Sequence, residues 1–211
     1  LHKAIRRQRQ MCIRDRDSYE GFYNKMLLLF ICSYTVIGVT LIGFCNILIS
    51  ILADEKFYDA HLYIPLLISS VVFGALSPLV AANFAASKQS KFYFYSTIWG
   101  ASVSLIANYL LIPQFMIWGA VGSILMAQIT IFAVRLYYAN RIVQHRNLSA
   151  VCSVMLLFLA TCICCSIYDN GIIRCFISFL YIAIILITNK NTLRTIINKI
   201  CLLYTSDAAD E

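Results

Sequence analysis

Six apolar runs, each between 17 and 27 residues long, alternate with short polar breaks along this chain. They cover 26–52, 63–86, 94–112, 117–138, 148–167 and 172–188. A helix rises 1.5 Å per residue and the hydrocarbon core is about 30 Å thick, so roughly 20 apolar residues suffice to cross it. The pattern predicts an all-α integral membrane fold with six transmembrane helices. The first run is long enough to tilt or to end in an interfacial turn. The breaks are too short to hold a soluble domain. In Asn108-Tyr-Leu-Leu-Ile-Pro-Gln-Phe-Met-Ile-Trp-Gly-Ala120 two spans are joined by a turn around Pro113 and almost nothing else.

Composition agrees with this reading. The chain is 61% hydrophobic and 13% charged, with a mean hydropathy of +0.77, values found in membrane proteins. The formal charge is +7. Both ends also look foreign to what lies between them. Met11-Cys-Ile-Arg-Asp-Arg16 resembles a translation of the transposase mosaic end used in sequencing libraries, and Arg6-Arg-Gln-Arg-Gln10 fits the adapter upstream of it. Cys201-Leu-Leu-Tyr-Thr-Ser206 reads as the reverse complement of the same element. Residues 1–16 and 201–211 are therefore set aside as adapter translation, leaving 17–200 as the membrane domain.

Within 17–200 the placement of eleven basic and six acidic residues matters more than their sum. One set of breaks carries Lys25, Lys88, Lys91, Arg135, Arg141, Arg146, Lys190, Arg194 and Lys199, while the opposite set carries only Lys56 and Arg174. By the positive-inside rule this asymmetry puts both native ends in the cytoplasm.

Small residues at helical spacing predict how the spans pack, because close backbone approach drives much of helix association in lipid. Ser96, Gly100, Ser104 and Asn108 form one stripe on the third span; Gly119, Gly122, Ser123, Ala127 and Thr130 offer its complement on the fourth. Pro78, four after Gly74, interrupts the second span, and the two together are a candidate hinge or a static kink.

Candidate chemistry is sparse. No Asp, Glu or Lys lies near the middle of a span, although such charges usually mark ion coupling. Asn46, Asn83, Asn108 and Gln128 are polar and deep, fit either for substrate contact or for bonds between helices. Arg135, late in the fourth span, can snorkel to the interface or meet a substrate. Lys88 and Lys91, in a short turn, can meet phosphates of a lipid or of a lipid-linked substrate. The seven cysteines of 17–200 sit mostly in apolar runs, and Cys162-Ile-Cys-Cys165 lacks the paired spacing of a zinc site. Neither a nucleophile–base pair nor a metal-ligand cluster is legible, so the residues argue no enzyme, no cofactor and no nucleic-acid partner.

Three segments carry a family resemblance: Glu55-Lys-Phe-Tyr-Asp-Ala60 with Tyr63-Ile-Pro-Leu-Leu67, the basic turn Ala85-Ala-Ser-Lys88 to Lys91, and Asn108 with Leu111-Ile-Pro-Gln-Phe115 and Trp118-Gly-Ala120. Together they resemble the C-terminal half of bacterial polysaccharide flippases, the O-antigen and capsule translocases of the multidrug/oligosaccharidyl-lipid/polysaccharide exporter superfamily. Met116 departs from that family's signature, which usually has Gly there. The resemblance spans about 54–141 and implies one lobe of a two-lobe exporter that moves a lipid-linked oligosaccharide across the cytoplasmic membrane by alternating access, partnered by the lipid bilayer and a missing N-terminal lobe. Lys88, Lys91, Asn83, Asn108, Gln128 and Arg135 are then its candidate substrate contacts, and Gly74 and Pro78 its hinge. A peptidoglycan-precursor flippase, a drug or cation antiporter, a membrane enzyme of polysaccharide assembly and a membrane scaffold remain open alternatives.

Overall fold

The computed structural model describes residues 2–52, 54–142, 148–168 and 170–190. Its elements are α1 (His2–Gly43), α2 (Cys45–Leu52), a 3₁₀ segment (Glu55–Leu62), α3 (Ile64–Ala86), α4 (Lys91–Phe115), α5 (Ile117–Ile142), α6 (Leu148–Ile167) and α7 (Gly171–Thr188). No strand occurs among the described residues. Six helices are long and apolar enough to cross a membrane: Tyr23–Gly43, Ile64–Phe84, Lys91–Phe115, Ile117–Ile142, Leu148–Ile167 and Gly171–Thr188. The backbone of 2–16 is helical and continuous with the first of these, while 201–211, Arg146, Asp169, Arg194 and Lys199 lie outside the described residues.

Helices α1, α3 and α6 form the middle of the body. Ile31, Val39, Ile42, Leu76, Val80, Phe158, Cys162 and Cys165 are fully buried there. Helix α7 closes one side, where Tyr181 meets Phe158 with ring centroids 6.2 Å apart. On the other side α5 packs on α3, with Phe73 and Phe132 edge to face at 5.5 Å. Helix α4 packs chiefly on α5, the most extensive helix pair in the molecule, and shows a largely apolar outer face: Tyr95, Ile98, Trp99, Leu105, Ile106 and Tyr109 are all exposed.

Three boundaries differ from the sequence reading. The apolar run 26–52 is not one span; it breaks at Phe44 into the end of α1 and the short α2. Gly43 lies against α7 at this point. A Cβ on it would come within 3.1 Å of the Ser178 hydroxyl, and the Cys175 thiol donates to the Gly43 carbonyl at 3.1 Å. The third span does not end at Ile112 either. Helix α4 runs through Pro113 to Phe115, and Met116 alone makes the turn, with φ 48° and its N–H bonded to the Ile112 carbonyl. Finally, Arg174 is not a loop residue but sits in the first turn of α7, whose start is capped by the Asn170 side chain accepting from the Ile172 N–H.

The turn between α3 and α4 has a recognisable helix end. Lys88 takes φ 55° and the Gln89 N–H reaches back to the Phe84 carbonyl at 2.8 Å, the 6→1 bond of a Schellman motif with lysine where glycine is usual.

Candidate functional site

The end of the body formed by the α3–α4 turn and the end of α5 is basic and aromatic. Phe84 lies 5.8 Å from Phe92, and Phe92 stacks on Tyr138 at 4.5 Å. Lys88 and Lys91 are exposed beside this cluster, with the Lys91 ammonium 5.3 Å from the Phe92 ring. Arg135 faces it from α5. The sequence reading gave Arg135 a snorkelling path to the interface; instead its side chain turns inward onto α4 and is only 5% exposed. Its Nε donates to the Ser96 hydroxyl at 3.0 Å, and its guanidinium lies 4.1 Å from the centre of the Tyr93 ring. A cation over an aromatic face is attracted by the ring quadrupole, more so where water is scarce. The Ser96 and Tyr93 contacts outcompete extension to the interface.

The other sequence candidates fall into separate places. Asn83 is buried (1% exposed) one turn before the basic turn, where its carbonyl accepts the Ser87 N–H at 3.0 Å. Asn108 is taken up between helices: its Oδ1 accepts from the Ser123 hydroxyl and its Nδ2 lies 3.5 Å from the Ser104 hydroxyl. Gln128 covers Gly74, its Oε1 3.3 Å from where a Cβ there would stand. So the candidate hinge glycine and the candidate ligand Gln128 are one α3–α5 contact. Pro78 lacks the N–H that would meet the Gly74 carbonyl, yet α3 stays a single helix. The structure thus gathers Lys88, Lys91 and Arg135, with Asn83 beneath, at one end, and leaves Asn108 and Gln128 in helix packing.

The small-residue stripes are largely realised. A Cβ on Gly119 would stand 2.3 Å from the Leu111 carbonyl oxygen, and one on Gly100 2.2 Å from the Ile131 side chain. Gly122 is the exception, since a Cβ there meets open space.

Sequence reasoning passed over Arg174. It is fully buried at the opposite end of the body. Its Nε donates to the Tyr168 carbonyl at 2.7 Å. Its Nη1 lies 3.5 Å from the Cys45 sulfur, 3.1 Å from Asn46 Oδ1 and 3.1 Å from the His61 carbonyl. None of these partners is a carboxylate, and Nη2 has no partner. The signal was present: Arg174 falls inside the apolar run 172–188, and a charge within a span is a functional or architectural mark by default. Here it fastens α2, the 3₁₀ segment and the α6–α7 turn to one point. Gly171 makes room for this node, since any side chain there would meet the Asn46 amide at 2.8 Å.

Among the described residues no group of His, Cys, Asp or Glu is placed to hold a metal ion. Comparison with family models, with curated proteins and with solved structures returns no match to the chain.

Proposed function

We propose that the chain is the C-terminal lobe of a flippase that carries a lipid-linked oligosaccharide across the bacterial cytoplasmic membrane, with its basic end in the cytoplasm. The observation that carries this reading is the α4–α5 hairpin. The resemblance rests most heavily on Leu111-Ile-Pro-Gln-Phe115 and Trp118-Gly-Ala120, and these residues have matching physical roles: Gly119 admits the Leu111 backbone, Trp118 packs on Tyr63 at 4.8 Å, and Met116 takes the positive φ for which the family's glycine is suited.

Moving such a substrate demands that sugar hydroxyls and a pyrophosphate be shielded from hydrocarbon, where each unpaired polar group costs several kcal/mol. A cavity between two lobes, open to one side at a time, meets that demand by rigid-body rocking without covalent chemistry. In this reading Lys88, Lys91 and Arg135 supply positive charge where the pyrophosphate enters, and α3 to α5 move as one unit. Long-range attraction of an anion to such a cluster is an electrostatic effect that salt weakens.

The test is complementation. The reading frame, extended on both sides and expressed in a strain lacking its own O-antigen flippase, is expected to restore surface polysaccharide, and Lys88→Gln with Lys91→Gln to reduce it. Expression of the extended protein in the membrane without any restored polysaccharide, across strains with differing glycans, overturns the assignment.

A further inference from the structure

The basic turn borders a groove that points to a ligand other than the transported one. The groove holds about 240 Å³ between the end of α3 and the start of α4, and is lined by Pro78, Ala81, Ala82, Phe84, Ser90 and Tyr93. Two adjacent alanines leave the space, and the walls are apolar apart from the Ser90 and Tyr93 hydroxyls. At its rim stand Lys88, exposed and held out by its positive φ, and Lys91 beside Phe92. Behind Tyr93 lies the Arg135 guanidinium.

No acid lies on the helices that carry these cations. The chain carries no Asp or Glu between Asp59 and Asp169, so α3, α4 and α5 are free of acids altogether. The compensating anion comes from outside these three helices. An apolar groove under an acid-free cationic rim, on a helix pair long and apolar enough to cross a bilayer, matches a molecule with a hydrocarbon part and a phosphate at one end. Basic side chains at a membrane surface recognise such phosphates, each contributing about fivefold in affinity.

We infer that this groove is a binding site for an anionic phospholipid of the surrounding bilayer, whose acyl chain lies along Ala81 and Ala82 and whose phosphate is held by Lys88 and Lys91, with Arg135 adding positive potential through Tyr93. A zwitterionic lipid is disfavoured because its own ammonium group would face the same cations. The inference stands whether or not the protein transports a lipid-linked sugar.

Native mass spectrometry of the full chain, released from detergent with phosphatidylglycerol or phosphatidylcholine, tests it. We expect retention of one phosphatidylglycerol in marked preference to phosphatidylcholine. Lys88→Gln with Lys91→Gln is expected to weaken it about 25-fold. Ala82→Trp, which fills the groove from an exposed position and leaves the cations in place, abolishes it while the protein elutes as before in size exclusion. Equal retention of the two lipids overturns the proposal, as does an undiminished phosphatidylglycerol signal in either variant. Stoichiometric displacement by a polyprenyl phosphate at equimolar concentration also overturns it, by making the groove a carrier-lipid site.

Discussion

Three glycines on the α4–α5 pair separate an obstruction by backbone from one by side chain and from none at all. Alanine at 119 would place its Cβ 2.3 Å from the Leu111 carbonyl oxygen and 2.5 Å from the carbon, whereas ordinary contact begins at 3.4 Å. Backbone cannot rotate away, so the helices must part by about 1 Å at the turn, loosening the Ser123–Asn108 bond as well. Overpacking of this kind costs about 1–3 kcal/mol, against a gain of at most about 1 kcal/mol from replacing a helical glycine. A net loss of about 2 kcal/mol lowers Tm by roughly 4–8 °C for a chain of this size. At Gly100 the obstruction is the Ile131 side chain, which can change rotamer, and Gly100→Ala is expected to lower Tm by no more than about 2 °C. Gly122 faces open space, so Gly122→Ala raises Tm by roughly 2–4 °C. The buried free thiols Cys32, Cys45, Cys162 and Cys165 provide the assay: in a background with Cys12, Cys152, Cys164, Cys175 and Cys201 changed to Ser, a fluorogenic maleimide reports unfolding in detergent. If Gly119→Ala proves as stable as Gly122→Ala, the hairpin does not close through Gly119 and the packing argument fails.

Other perturbations follow from single residues. Met116→Gly removes the strain of a positive φ in a non-glycine residue, about 1–2 kcal/mol, and raises Tm by a few degrees in the same assay; a fall would mean that Met116 makes contacts worth more than the strain. Arg174→Met removes the bonds that the Tyr168 and His61 carbonyls and Asn46 Oδ1 accept from the guanidinium, at about 1–3 kcal/mol for any group left unsatisfied, while Asn46 Oδ1 keeps the Cys45 thiol as a donor. It is expected to lower Tm and to make Cys45 react with maleimide in the native state, and continued protection of Cys45 would show that the node does not hold α2 down. In a double-mutant cycle, Asn108→Ala and Ser123→Ala are expected to show a coupling of about 0.6 kcal/mol, as for hydrogen bonds between transmembrane helices; additivity within error would remove that bond.

Hydropathy and residue size made most of the architecture readable. Apart from the end of the first, the spans stand within a few residues of the predicted runs because length and apolarity are local properties. The α4–α5 partnership was legible for the same reason: Ser96, Gly100, Asn108, Gly119, Ser123 and Ala127 lie close together in sequence and the turn allows only antiparallel packing. What escaped depends on distant partners. The length of the first run allowed a turn at its end, but the position at Phe44 has no Pro to announce it; it coincides with Gly43 crossing Ser178 and Cys175 on α7. Gly122 looked identical to Gly119 as a letter but faces away. Arg135 carried a correct position and a wrong direction, since Ser96 and Tyr93 lie on another helix. Gln128 and Gly74 were read as separate candidates because nothing local shows that one covers the other. Grouping Arg174 with the loop charges hid that it lies within an apolar run.

The two buried arginines suggest how the body divides. Each is bonded to neutral acceptors on other elements. Arg135 ties α5 to α4 at the basic end, while Arg174 ties α7 to α2 and the 3₁₀ segment at the opposite end. Packing follows the same partition: α4 rests on α5 and α5 on α3, whereas α1 gathers α6 and α7, with α3 shared between the groups. A guanidinium desolvated without a carboxylate is costly, and removing its acceptors is costlier still, so neither tie can open part-way without exposing an unpaired charge to hydrocarbon. Helix α3, which both groups share, meets one through the Tyr23 hydroxyl donating to the Leu79 carbonyl and the other through Gln128 over Gly74. Pro78 stands beside the first of these contacts and one turn from the second, inside a helix that stays continuous.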